Sequence, residues 1–148
     1  MSGYQDNALG YEKVFIGNGD STSTRVVAGS TVLPQDYHTS YLRTSGASGK
    51  YFNNSSYGEI SPDWVSLVNQ SIYYSNSGAT YSGLTVAEDV SECVRSGDSG
   101  GAYYMQSGAS GATAVGVISG TNNSGGGAYN CRNYYSPMNT FYVTYTLR

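Results

Sequence analysis

The sequence predicts an all-β, antiparallel protein, and three observations predict it. Short apolar or alternating runs recur between clusters of Gly, Asn, Asp and Ser, at a spacing of about ten residues, the rhythm of strands that reverse before they outgrow a core. Sixteen Tyr, one Trp and three Phe in 148 residues supply large apolar surface, with charged residues at only 11%; disordered Gly/Ser chains are poor in aromatics. No window keeps apolar residues at i, i+3, i+4 and i+7 for three turns, so helix is limited to one short terminal element around Met138–Tyr145.

In chain order, Lys13–Ile16 and Thr24–Ala28 read as two short strands, separated by the turn formers of Gly17–Ser23. Thr39–Arg43, Trp64–Val68 and Ser71–Tyr74 follow, each carrying β-branched or aromatic residues between polar neighbours. Leu84–Val86 and Ala102–Gln106 continue the pattern, Thr113–Ser119 is an almost unbroken apolar run, and Thr140–Leu147 alternates to the end. Gly17–Ser23 and Thr121–Gly127 are short enough to be loops between strands of one unit. There is no internal repeat.

Ten acidic against seven basic residues give a net charge of −3. The cations are scattered, so no basic footprint for nucleic acid exists. The apolar stretches fall far short of the roughly 20 residues that cross a bilayer as helix. Cys93 and Cys131 have no nearby Cys or His to complete a zinc site, which favours a disulfide, with a pair of free thiols as the alternative. Few Lys, many Tyr, Ser, Gly and Asn, and a possible bridge fit a secreted, extracellular chain. The sequons at Asn53, Asn54, Asn69 and Asn122 are compatible with that.

The segment richest in chemistry is Cys93-Val-Arg-Ser-Gly-Asp-Ser-Gly-Gly101. A serine hydroxyl of ordinary pKa is a poor nucleophile; it needs an exposed, fixed geometry, a base, and donors aimed at the oxyanion that attack creates. Gly97 lets the backbone turn so that its N–H and that of Ser99 face one hollow, while Gly100 and Gly101 permit close approach of neighbouring chain and substrate.

This segment resembles the nucleophile motif of the chymotrypsin-like serine proteases, most of all their bacterial, streptogrisin-like or α-lytic-protease-like branch. Four features carry the resemblance: Gly97–Gly101 itself; Cys93 six residues before Ser99; a strand ending in Ser119-Gly120 with Cys131 soon after; and Tyr135-Ser-Pro-Met-Asn139 with an apolar tail. The resemblance implies the second Greek-key β-barrel of the two-barrel fold over residues 28–148, with residues 1–27 a remnant of the first. It implies a serine endopeptidase acting on polypeptides, with no cofactor and no metal.

By the same resemblance, Ser99 is the nucleophile and Gly97 and Ser99 form the oxyanion hole. Asp6, in Asp6-Asn-Ala-Leu9, is similar to the family's triad aspartate. Arg43 looks like the arginine that pairs with Asp98 behind the nucleophile, the alternative being an exposed Arg; Asp98 needs a cation or several donors to offset its desolvation. Ser119 would hydrogen-bond the triad aspartate, and Ser119-Gly120-Thr121 would pair with substrate as an added strand. Cys93 and Cys131 would form the bridge around the specificity pocket. Ser91 and Glu92 fall near the pocket base; Glu92 either favours a basic side chain or points outward, with an apolar preference as the lean.

The departure from the family is the general base. The family's histidine precedes its aspartate, whereas the single histidine here, His38, lies between Asp6 and Ser99. The triad arises from several chain orders, but the context of His38, just before a second-barrel strand, reads as a surface or loop residue. The expectation is therefore a truncated chain whose histidine lies on a missing N-terminal segment or a complementing chain. The alternative is a non-catalytic pseudoprotease or Tyr-rich module binding peptide or carbohydrate through Tyr103, Tyr104, Tyr129, Tyr134 and Tyr135, although those tyrosines read more readily as barrel core and cross-strand pairs.

Overall fold

The structure is a computed structural model, describing residues 12–15, 24–45, 59–62, 64–89, 94, 98–122 and 131–140. Its strands are β1 (Glu12–Phe15), β2 (Thr24–Ser30), β3 (Tyr37–His38), β4 (Leu42–Ser45), β5 (Glu59–Ile60), β6 (Trp64–Tyr74), β7 (Ala79–Asp89), β8 (Ala102–Ser107), β9 (Gly111–Asn122) and β10 (Cys131–Pro137). All pairings are antiparallel except that of β2 with β9. A 3₁₀ turn, Met138–Thr140, follows β10; it opens the segment expected to be helical, and residues 141–145 lie outside the described residues. No helix among the described residues is long and apolar enough to cross a membrane.

The strand order runs β3-β6-β7-β10-β9-β8-β4-β5. β3 and β4 stand near opposite ends of that path, yet they are consecutive pieces of one bent segment. The Asp36 amide bonds the Val65 carbonyl at 2.8 Å on the β6 side, and the Gln106 amide bonds the Tyr41 carbonyl at 2.8 Å on the β8 side. The segment thus closes the sheet on itself. With β10 inserted between β7 and β9, the closed sheet is a Greek-key barrel.

Its interior is filled by Leu33, Leu42, Val65, Ala87, Val94, Tyr103, Val115, Ile118 and Tyr135. The rings of Tyr103 and Tyr135 stack inside at 4.5 Å, each fully buried. A smaller cluster of Leu84, Val86 and Tyr134, with Leu67, Ile72 and Tyr74 against it, covers the other face of β6, β7 and β10.

Several elements differ from expectation. The two runs Trp64–Val68 and Ser71–Tyr74 form one eleven-residue strand, β6. Register shifts against β7 between Val65 and Ile72, with Asn69 at φ 54°, interrupt the alternation that identifies a single strand. The residue pattern alone does not mark β10, although the resemblance at Tyr135–Asn139 implies a strand and helix there. Its adjacent Tyr134 and Tyr135 serve the outer cluster and the barrel interior respectively, so both faces are covered and no polar–apolar period appears. β2 extends past the expected boundary at residue 27 to Ser30, pairing with β1 over Thr24–Val27 and with β9 over Val26–Ser30.

Candidate active site

The Ser99 turn is built by its own backbone. The Gly101 amide bonds the Asp98 carbonyl at 2.9 Å, the Gly100 amide bonds the Ile118 carbonyl at 2.9 Å, and the Ile118 amide returns to the Gly101 carbonyl at 2.8 Å. Gly100 adopts φ 88°, a left-handed conformation that side chains strain to reach. The turn is therefore riveted to β9 just before Ser119. Asp98 is 1% exposed, anchoring the inner side, whereas Ser99 is exposed at the apex. Its amide makes no hydrogen bond among the described residues, in contrast to the amides of Gly100 and Gly101.

The Ser99 hydroxyl donates to the Ser119 carbonyl at 3.4 Å, a long bond that holds the proton loosely. The pairing of β8 with β9 stops at Val117, while β10 continues along β9 to Asn122. Beyond the Ser99 turn, Ser119 and Gly120 consequently present the β9 edge opposite β10. Thr121 donates through Oγ1 to the Arg132 carbonyl at 3.0 Å and to Asn133 Oδ1 at 3.3 Å.

Sequence reasoning missed Tyr74. Its hydroxyl meets the Ser119 hydroxyl at 3.0 Å, and a Cβ built on Gly120 would stand 2.7 Å from its Cε1. The ring occupies the space that a Gly120 side chain would take. Tyr81 and Tyr134 hold it edge-on at 5.3 and 6.2 Å. Burial raises the Tyr74 pKa above the ordinary phenol value, the Ser119 hydrogen bond opposes that rise, and nearby Tyr134 and Tyr81 add to it. Tyr74 stands 45 residues from Ser119, so no local pattern announces the contact.

The other anticipated residues divide into placed and unplaced. Arg43 donates through Nη1 to the carbonyls of Ser40 and Leu42, on a strand paired with β8. Cys131 opens β10 opposite Asp89. His38 is exposed on β3 and its ring lies flat on Trp64, with centroids 5.2 Å apart and planes 8° from parallel, the behaviour of a surface histidine. Tyr103, Tyr104, Tyr134 and Tyr135 are buried, at most 6% exposed, so they are packing residues rather than a binding face. Asp6, Ser91, Glu92, Cys93, Gly97 and Tyr129 lie outside the described residues. Among the described residues no group of three His, Cys, Asp or Glu is placed to hold a metal ion.

No family model matches the chain and no curated protein is similar to it in sequence. Solved structures are similar in fold. One is a glutamic-acid-specific serine protease that uses a histidine triad in substrate binding, with TM-score 0.63, 19% identity, and coverage of 90% of this chain and 57% of that one. Another is Cellulomonas bogoriensis chymotrypsin, with TM-score 0.55, 24% identity, and coverage of 89% of this chain and 59% of that one. The chain thus spans under three fifths of each of these two structures. Its barrel has the chymotrypsin-like fold.

Proposed function

We propose, from a chymotrypsin-like barrel that presents Ser99 on a rigid exposed turn, that this chain is the nucleophile-bearing part of a serine endopeptidase of the bacterial, secreted kind. The observation that carries the reading is the Ser99 turn, locked to β9 with its hydroxyl resting on the Ser119 carbonyl. Ser99 Oγ attacks the peptide carbonyl carbon, and its proton passes to a histidine supplied from outside the described residues. The Ser99 amide, joined by that of Gly97, stabilises the oxyanion. The base then protonates the leaving amine, and water hydrolyses the acyl-enzyme.

Substrate lies as an added strand along Ser119, Gly120 and Thr121. Asp6 orients the histidine, Arg43 neutralises Asp98 behind the turn, and Ser91 and Glu92 flank the pocket base. A Cys93–Cys131 bridge ties the pocket loops. Residues 1–27 lead from the first barrel and 28–148 make up most of the second, with β2 spanning the division through its pairing with β9 from Val26 onward. A Tyr-rich binding face has less support, because four of the five tyrosines invoked for binding are buried; a non-catalytic pseudoprotease is the alternative that the labelling test separates.

A serine-directed phosphonylating probe tests the reading. The 148-residue chain labels little or not at all; adding an upstream segment that carries a histidine restores labelling, which Ser99→Ala abolishes. Labelling that survives Ser99→Ala, or no labelling with the histidine segment in place, refutes it. Strong labelling of the chain alone that His38→Ala removes would move the base to His38.

A further inference from the structure

Tyr74 closes β6, and its hydroxyl meets that of Ser119 at 3.0 Å. The fold fixes it there from three sides. Its carbonyl accepts the amides of Ser77 and Gly78 at 3.3 and 2.8 Å, so the hairpin turn holds the backbone beneath the ring. Tyr81 and Tyr134 meet the ring edge-on. Gly120 supplies the room: the three atoms nearest to a Cβ built there are Cε1, the hydroxyl oxygen and Cζ of Tyr74, at 2.7, 3.0 and 3.2 Å. Gly120 has no positive φ, so its backbone would accept a side chain, and it is the phenol end of Tyr74 that forbids one.

The pair of hydroxyls has a direction. Each carries one proton and two lone pairs, so two hydroxyls bonded to each other keep one proton to give elsewhere. The phenol is the stronger acid and the better donor, and burial raises its pKa, which keeps it protonated. Ser119 Oγ is then the acceptor, and the Ser119 proton is left to point away from Tyr74. Among the described residues nothing else bonds the Ser119 hydroxyl. An oxygen that accepts a hydrogen bond becomes a better donor through its own O–H. The carbonyl of the same residue receives the Ser99 hydroxyl at 3.4 Å. β8 leaves β9 at Val117, so Tyr74 grips Ser119 where the ladder no longer holds both edges of that strand.

We propose that Tyr74 is a positioning residue for the Ser99 nucleophile: it donates to Ser119 Oγ and thereby turns the Ser119 proton into the cleft, toward the carboxylate that orients the histidine. The inference rests on the protease reading above, which supplies that carboxylate in Asp6; the direction is what Tyr74 adds. Without the phenol hydroxyl the Ser119 proton is shared among its staggered positions, the carboxylate is held less firmly, and proton transfer from Ser99 slows. The peptide edge is untouched, because substrate pairs with the backbone of Ser119, Gly120 and Thr121 rather than with the Ser119 hydroxyl. The loss therefore falls on the rate of attack and not on binding.

The test uses the 148-residue chain joined to the histidine-bearing upstream segment, reacted with a peptidyl phosphonate over a range of concentrations so that the limiting rate of labelling separates from half-saturation. Tyr74→Phe keeps the ring and its packing, as circular dichroism would verify. It should lower the limiting rate about fivefold to tenfold, the net worth of roughly one hydrogen bond, with half-saturation unchanged. Ser119→Ala should lower it equally, and the two together no further, since one acts through the other. Should Tyr74→Phe not fold, Gly120→Ala displaces the phenol with Tyr74 intact and should show the same loss. A parent-like rate in Tyr74→Phe, a change confined to half-saturation, or losses that multiply in the double variant overturns the role of Tyr74 and leaves the protease reading standing. A parent that stays unlabelled overturns the protease reading, and this inference with it.

Discussion

Gly120→Ala offers the sharpest probe of how Tyr74 sits on the proposed substrate edge. An alanine Cβ there would lie 2.7 Å from Tyr74 Cε1 and 3.0 Å from its hydroxyl oxygen. The ring has little room to yield, since its hydroxyl is bonded to Ser119 and its edges meet Tyr81 and Tyr134. Overpacking of this kind costs about 1–3 kcal/mol, with the Tyr74–Ser119 hydrogen bond lost in the same movement. For a cost of about 2 kcal/mol the melting temperature of a domain near this size falls by roughly 4–8 °C. In a Tyr74→Ala background the obstruction is gone. Gly120 has no positive φ, so the added methyl should there be neutral or stabilise by about 0.5 kcal/mol through the unfolded chain. The assay is a double-mutant cycle from urea melts followed by circular dichroism, with an expected coupling of about 2 kcal/mol. Equal effects of Gly120→Ala in the two backgrounds would refute the placement of Tyr74.

Further expectations concern the nucleophile, an ion pair with one buried partner and alkaline pH. Ser99→Ala should change stability by less than about 0.5 kcal/mol in urea melts, because the side chain is exposed and its one bond is long; a larger loss would make Ser99 a structural residue. Arg132→Ala should cost about 2 kcal/mol, more than a surface pair, because it strands the buried Glu88 carboxylate while the exposed Arg132 side chain tempers the effect. In a Glu88→Gln background that cost should largely vanish. Burial raises the pKa of Tyr135, with Thr85 opposing, and that of Tyr74 in the same direction. The native state therefore binds more protons than the unfolded chain above the ordinary phenol value of 10.0, so stability present below that pH should fall as pH rises through it. Melts between pH 8 and 11, flattened by Tyr135→Phe, would show this; no decline would contradict the burial.

What the sequence disclosed was whatever neighbouring residues spell together. The Ser99 turn is written in consecutive glycines and an aspartate that act within a few positions, so its exposed apex and buried Asp98 followed from the motif. Ser119 was legible as the end of an apolar run. Tyr74 was not, because its meaning arises from a hydrogen bond spanning 45 residues, and a tyrosine at a hairpin end looks like any other. β10 escaped for a related reason. Adjacent tyrosines feeding opposite clusters abolish the alternation on which strand reading depends.

The bent segment from Tyr37 to Ser45 acts as both the first and the last stave of the barrel. Its pairing with β6 spans a short stretch of chain, but its pairing with β8 waits until residues beyond 102 exist. During synthesis a nascent chain released only to the end of β7 holds a curled sheet whose seam cannot shut, with the β4 edge bare. Loop closure on that scale makes the final stitching slow, and an open seam invites pairing with another copy. A nick between His38 and Leu42 in the finished protein would recreate the same gap, turning a ring of strands into an open sheet without removing a single residue.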